Sequence, residues 1–334
     1  MLKYAILGFG GLGKVHFGNY EAIKTRKDVE LVAICDVEES AFKNKASTNL
    51  GDDGSVLDFT GINLYNDAEE MFNKEKLDFI VSALPTYIHE KYAVMAMEKG
   101  IHVFSEKPMA INYEQGKHML EVSKKNNVKL MIGQCLRYFP EYTKLKELID
   151  SKEYGKIIAA DFCRLSPAPV WGWQNWFMDE SLSGGSILDL HVHDVDFISY
   201  VFGKPKALCS IATNELVKHD SVTTLFYYDD VVVTAKGSWG GSATYPFSTP
   251  FRARFEKASV EYLNGKYMLY PQEGEPFEIE VGFENGYVEE VVDFIDCIEN
   301  DRESKINPPE ASLQTVEIAL AEKKSADLME VVKL

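Results

Sequence analysis

The stretch that most narrows the folds open to this chain is Gly8-Phe9-Gly10-Gly11-Leu12-Gly13. It follows the apolar run Tyr4–Leu7 and opens a segment with helical spacing, Gly11 to Lys24. Alone, a G-x-G-x-x-G pattern is a weak signal. Between a strand and a helix it becomes specific, because each glycine has a task. Gly8 permits a tight turn, Gly10 lets backbone approach a pyrophosphate, and Gly13 lets helix and strand pack closely. Unpaired N–H groups and the helix dipole then hold the anion, with Phe9, Gly11 and Leu12 completing the loop.

Asp36 sharpens this reading. It ends a second apolar run, Glu30–Cys35, and lies 23 residues after Gly13. A carboxylate there accepts hydrogen bonds from a ribose 2′-hydroxyl. Its charge repels a 2′-phosphate, and like charges held together cost several kcal/mol. The next residues are Val37, Glu38 and Glu39, with no arginine. The sequence therefore predicts NAD as cofactor in preference to NADP.

Strand-like and helix-like segments keep alternating through the first third. The pattern predicts a helix over 38–50, a loop over 51–63, and strands over Asp78–Ala83, Ile101–Ser105 and Val128–Gly133. Helical spacing fills Ile88 to Lys99 and Tyr113 to Asn127. Such alternation implies βαβ units and a doubly wound parallel sheet, a Rossmann domain. After Gly155 the pattern changes to successive strands: Ile157–Ser166, Lys206–Thr213, Ser221–Tyr228, Val231–Trp239, Phe251–Glu256 and Ala258–Leu263. Asp229-Asp230 reads as a tight turn. Two helices close the chain, over 284–300 and from about Glu310. The expected second domain is α+β with a large open, mostly antiparallel sheet. The division is 1–125 for nucleotide binding and 126–334 for substrate binding and oligomerisation, with the change of pattern falling between Leu136 and Gly155.

Composition excludes other classes. With 35 Lys and Arg against 52 Asp and Glu, the net charge of −17 opposes a nucleic-acid binder and a polybasic membrane-surface protein. Five scattered cysteines, with no C-x-x-C pair, fit neither a zinc ribbon nor a dense disulfide framework. No run approaches the roughly 18 apolar residues of a membrane span. The short apolar N-terminus has no continuous hydrophobic region of signal-peptide type. The expectation is a soluble cytoplasmic protein of two domains in its 334 residues.

Three more segments gather the remaining chemistry. Leu84, Pro85 and His89 follow the third predicted strand, and Glu106-Lys107-Pro108 follows the fourth. Both lie at carboxyl ends of strands, where doubly wound sheets bind ligands. The third segment is Ser183-Gly184-Gly185-Ser186-Ile187-Leu188-Asp189-Leu190-His191-Val192-His193. With the glycine fingerprint, the Glu106-Lys107-Pro108 motif and the Gly-Gly…Asp-x-x-x-His segment, the chain resembles the glucose–fructose oxidoreductase/inositol dehydrogenase/MocA family over essentially its whole length. The resemblance implies a Rossmann domain, an open-sheet domain that mediates dimers or tetramers, and catalytic positions at Lys107, Asp189 and His193. It also implies cofactor contacts from Leu84, Pro85, His89, Glu106 and Lys107. Two departures stand out: Ser186 replaces a third glycine, and His191 stands where a small residue is common. Both reshape the pocket and block transfer of a specific substrate.

Residue chemistry points the same way independently. Leu188, Val192, Val195 and Phe202 recur at near-helical spacing, which places Asp189, His193 and Asp196 on one helix face. His193 is suited to take an alcohol proton while hydride leaves carbon. Asp189 holds substrate or imidazole, and Lys107 stabilises charge on the reacting oxygen. Each residue alone has a purely structural alternative: a surface lysine, a helix-start carboxylate, a buried histidine. A metal site from Asp189, His191, His193, Asp194 and Asp196 is the weaker reading, since His191 and His193 lie about 200° apart on a helix.

For substrate, Trp171, Trp173 and Trp176 offer flat faces suited to a hydroxylated ring, with core packing as the alternative. Arg137 and Tyr138 follow the fifth predicted strand and border the same region, as does His191. The expected reaction is oxidation of a secondary hydroxyl on a sugar or inositol-like polyol. A redox-neutral NAD-dependent hydrolase or epimerase, a carbonyl or imine reductase, and a nicotinamide-binding regulator remain open. A strand-rich second domain predicts a homodimer or homotetramer through its sheet.

Overall fold

The strands β1 (Leu2–Leu7) and β2 (Val29–Cys35) are rich in branched and aromatic residues and almost wholly buried, as strands covered on both faces must be. The structure is a computed structural model, and it describes residues 1–43 and 57–334. Between these strands run α1 (Gly11–Gly18) and α2 (Tyr20–Lys24). There follow β3 (Asn63–Tyr65), α3 (Ala68–Lys74), β4 (Phe79–Ser82), α4 (His89–Glu98), β5 (His102–Glu106), α5 (Tyr113–Asn126) and β6 (Leu130–Gly133). All six strands pair in parallel, in the order β3-β2-β1-β4-β5-β6. The order reverses between β1 and β4, which opens a crevice at their carboxyl ends. Helix starts are capped by side chains: Asp67 accepts from the Glu70 N–H and Asn112 from the Gln115 N–H.

β3 has only three residues and lacks a run long enough to show periodicity, so sequence reasoning gave five strands here instead of six. Of the helix expected over 38–50, Glu39–Phe42 is a single 3-10 turn. Residues 44–50 of that helix and 51–56 of the following loop lie outside the described residues.

The remaining elements are α6 (Pro140–Ser151), β7 (Ile157–Pro167), α7 (Glu180–Ser183), α8 (Val192–Phe202), β8 (Ala207–Thr213), β9 (Ser221–Tyr227), β10 (Val232–Gly241), β11 (Phe251–Phe255), β12 (Ala258–Leu263), β13 (Lys266–Pro271), β14 (Phe277–Glu278), α9 (Gly286–Glu299), α10 (Pro309–Leu328) and β15 (Val332–Lys333). Nine strands form a second sheet in the order β14-β13-β12-β11-β7-β10-β9-β8-β15. Only β7 and β10 pair in parallel. Alternation of buried with less buried residues along β9, β11 and the first half of β10 shows one covered face and one open face. Ile187, Leu188 and Ala319 pack on Val222 of the covered face. The β12–β13 hairpin turns on Asn264-Gly265, both with positive φ. That dipeptide is a strong hairpin signal, and it was the available cue to β13, which the sequence reading omitted.

Two compact units result. The first joins Met1–Gln134 with Trp171–Trp176 and Tyr287–Leu313; the second holds Cys135–Val170, Phe177–Gly286 and Gln314–Leu334. β6, α9 and the start of α10 thus belong with the first sheet, although they lie in the 126–334 span. Val288, Val291, Phe294 and Ile295 of α9 share a core with Tyr4, Ile6, Phe79 and Phe104. Among the described residues, no helix is long and apolar enough to cross a membrane.

Candidate active site

The glycine loop follows from steric necessity. Gly8 has φ +88°, and a Cβ there would sit 2.7 Å from the Ala83 carbonyl oxygen. A Cβ on Gly13 would run into the Gly8 carbonyl oxygen, whereas one on Gly10 would meet nothing within 4 Å. Backbone is therefore packed tightly behind the loop and open in front of it. α1 starts at this loop with no side-chain cap and no acidic residue in its first turn. Its N–H groups and dipole suit an anion. These features fit the pyrophosphate of a dinucleotide.

Asp36 lies at the end of β2, where its Oδ2 accepts the Phe9 N–H at 2.7 Å and its Oδ1 accepts the Glu38 N–H at 2.9 Å. The buried Phe9 side chain packs with the partly buried rings of Phe17, Phe42 and Phe59. Phe9 thus serves the loop through its backbone. Leu84 sits against Gly8 and, with Pro85, follows β4. His89 is buried, with Nδ1 2.8 Å from the Pro108 carbonyl oxygen and Nε2 2.7 Å from that of Leu84. Burial holds its pKa down. It lies between the segments after β4 and β5, and as a neutral ring with one N–H it donates to one of these two carbonyls. Glu106 is likewise buried; its Oε1 meets His16 Nε2 at 2.7 Å and its Oε2 accepts the Lys107 N–H at 3.2 Å. The Lys107–Pro108 peptide is cis. Lys107 itself is only partly buried, at the carboxyl end of β5. His16 is a residue sequence reasoning missed: a lone histidine in a helix three residues after Gly13 carries no signal of its partner.

In the second unit, Ile187–His191 form a π-helical turn that runs into α8. Such turns are rare and frequent at functional sites. The turn lies against β10 at Gly237, where a Cβ would come 2.6 Å from the His191 Cβ. From Ser183 to Ser199, every residue is buried except Asp189 and His193. Those two residues are the ones accessible to a ligand. Cys135 Sγ lies 3.8 Å from His193 Nδ1.

Asp196 departs from the expected shared face. It is buried in a two-pronged pair with Arg137 and also accepts from Thr315 Oγ1 at 2.9 Å. In an α-helix three residues span 300°, so Asp196 lies about 60° round from His193, on the core side. Asp194 is buried too, paired with Arg164, whose Nε donates to Oδ2 at 2.9 Å. Arg137 is therefore spent on an internal pair, and Tyr138 is buried beside it. His191 is fully buried, with Nε2 3.1 Å from Glu322 Oε1. Burial lowers its pKa, but the charge and hydrogen bond of Glu322 together raise it overall. None of these three presents an exposed substrate-facing side chain. Ser186, in place of a third glycine, donates its hydroxyl to the His219 carbonyl at 2.7 Å. Among the described residues, no group of three or more His, Cys, Asp or Glu is arranged to hold a metal ion.

The tryptophans fall in the first unit. Trp173 Nε1 donates to Glu38 Oε1 at 3.0 Å, and the Trp176 ring centroid is 6.5 Å from that of Tyr87. This places Trp173 beside the ribose-end carboxylates, a location sequence reasoning did not foresee.

Comparison with known proteins agrees with this geometry. A model of an oxidoreductase family with an NAD-binding Rossmann fold matches residues 2–134, and one of the GFO/IDH/MocA C-terminal domain matches residues 142–261. D-glucoside 3-dehydrogenase of Escherichia coli (strain K12) is 29% identical over 61% of this chain, but the match spans only 55% of that protein. The scyllo-inositol 2-dehydrogenase (NAD(+)) of Bacillus subtilis (strain 168) is 25% identical over 96% of this chain and 92% of its own length. A levoglucosan dehydrogenase solved with NADH and levoglucosan shares the fold, with TM-score 0.83 at 17% identity, covering 100% of this chain and 99% of that one. The first unit is an NAD-binding Rossmann domain.

Proposed function

The chain belongs to the Gfo/Idh/MocA oxidoreductase family, and on that premise we propose that it oxidises a secondary hydroxyl of a sugar or cyclic polyol to a carbonyl. The reaction breaks one C–H and one O–H bond. Two electrons and a proton leave carbon as hydride, and the hydroxyl proton leaves separately. When bound, NAD supplies the hydride acceptor. His193 takes the hydroxyl proton at Nε2, since Nδ1 faces Cys135 Sγ. Asp189, the other accessible residue of that helix, binds a substrate hydroxyl. Lys107 stabilises negative charge developing on the reacting oxygen.

The observation that carries this reading is the exposure pattern: between Ser183 and Ser199, only the candidate base and its carboxylate neighbour are not buried. NAD is preferred to NADP because Asp36 meets a 2′-phosphate with like charge. We also assign the open sheet face, which exposes Ile211, Tyr227, Val232 and Tyr270, to self-association. A monomeric mass in solution would sink that assignment.

The test is NADH formation from NAD across inositols, aldoses and sugar acids, run beside His193→Ala. A substrate oxidised by the wild type and not by the variant supports both reaction and base. Silence across the panel, with NAD binding intact by calorimetry, overturns the dehydrogenase reading.

A further inference from the structure

Trp171–Trp176 is bracketed in sequence by residues of the second unit, yet it packs with the first. Its tryptophans rest at two strand ends. Trp173 is hydrogen-bonded to Glu38, just after β2, and Trp176 lies against Tyr87, just after β4. β1 lies between those strands in the sheet. The segment is thus held on both flanks of the strand that carries the glycine loop. Between the tryptophans, Gln174 and Asn175 both take left-handed backbone, with φ of 49° and 56°. This left-handed pair sets the turn that follows the Trp173 indole.

Asp36 is not the only carboxylate at this end of β2. Glu38 lies two residues on, and its backbone N–H already touches the Asp36 carboxylate. Its side chain accepts a hydrogen bond from the neutral Trp173 indole at 3.0 Å, which holds the carboxylate at this end of the strand.

We propose that Glu38 is a second determinant of cofactor specificity, and that Trp173 is the residue that positions it. The pair selects a dinucleotide with a free 2′-hydroxyl over one bearing a 2′-phosphate. This rests on the NAD-preferring reading above.

Calorimetric titration of the full chain with NAD and with NADP tests it without a known substrate. Glu38→Gln is expected to narrow the NAD-over-NADP affinity ratio about three- to tenfold, the order expected for removing one screened unit charge near a phosphate dianion. The change should come from tighter NADP binding, with NAD affinity held within about twofold. Trp173→Phe keeps the ring, loses the donor, and narrows the ratio in the same direction. The double variant should match Glu38→Gln alone, because Trp173 acts through Glu38. If Trp173→Phe weakens both cofactors equally, or if effects of the two variants simply add, the positioning role is overturned. If Glu38→Gln leaves the ratio unchanged while the wild type favours NAD, the inference fails alone. Equal wild-type affinity for both cofactors overturns the underlying preference instead.

Discussion

Arg137 and Asp196 form a two-pronged ion pair: Nε to Oδ2 and Nη2 to Oδ1 are each 2.8 Å, with both side chains 1% exposed. Arg164 and Asp194 form a second such pair. Asp194 and Asp196 flank His193's position on α8 and anchor the helix to Arg164 of β7 and to Arg137. The chain thereby fixes the backbone that carries the candidate base. Removing one partner of a buried pair strands the other charge, so Asp196→Ala should cost about 3–5 kcal/mol. Arg137→Met with Asp196→Leu should recover most of that loss. Urea denaturation of the two variants beside the wild type checks it; equal losses in single and double variants would count against the pairing argument.

His193→Ala should lower turnover by about 10²–10⁴-fold, the usual contribution of a general base, while NAD affinity stays near wild type. Steady-state kinetics with calorimetry separates the two. Unchanged turnover would falsify the assignment.

Cys135→Ala removes the group facing His193 Nδ1. Loss of one hydrogen bond of about 1 kcal/mol corresponds to a roughly fivefold drop in kcat, with KM little changed. The pH–rate profile should shift as well. A cysteine that only fills space would leave that profile in place.

Gly13→Ala places a methyl group against the Gly8 carbonyl oxygen, which must move. Overpacking of this kind typically costs about 1–3 kcal/mol. Here it also distorts the anion-binding loop, so NAD affinity should fall with stability. Retained affinity in a folded variant would show that the loop tolerates a side chain.

His191 sets a pH dependence of stability. Its pKa is raised in the fold by Glu322, against the opposing effect of burial. A raised value means the stabilisation is fully present below the unfolded pKa of about 6.5 and is lost as pH rises through the folded pKa. The stability gap between wild type and His191→Gln should therefore be wider at pH 6 than at pH 9. Denaturation midpoints across that range test the sign.

Much of the first unit was legible because local rules decide it. Period-2 and period-3.6 patterns mark elements, and a glycine fingerprint marks the one turn where side chains cannot fit. The same rules located β7 to β12 within a residue or two. They do not reach β3, whose three residues show no period, or β13, which is marked by the Asn264-Gly265 turn and not by its own pattern.

What the sequence determined by itself was the glycine loop, Asp36 at a strand end, and the Asp189-x-x-x-His193 spacing. Each depends on residues close together in the chain, so spacing alone conveys it. Tertiary structure decided the partners. Glu38 meets Trp173 across 135 residues, His16 meets Glu106 across 90, and His191 meets Glu322 across 131. It also decided that Arg137, Asp194 and Asp196 face inward while Asp189 and His193 remain accessible. Burial and ion pairing depend on which elements pack against a helix, and no periodicity within the helix encodes that choice.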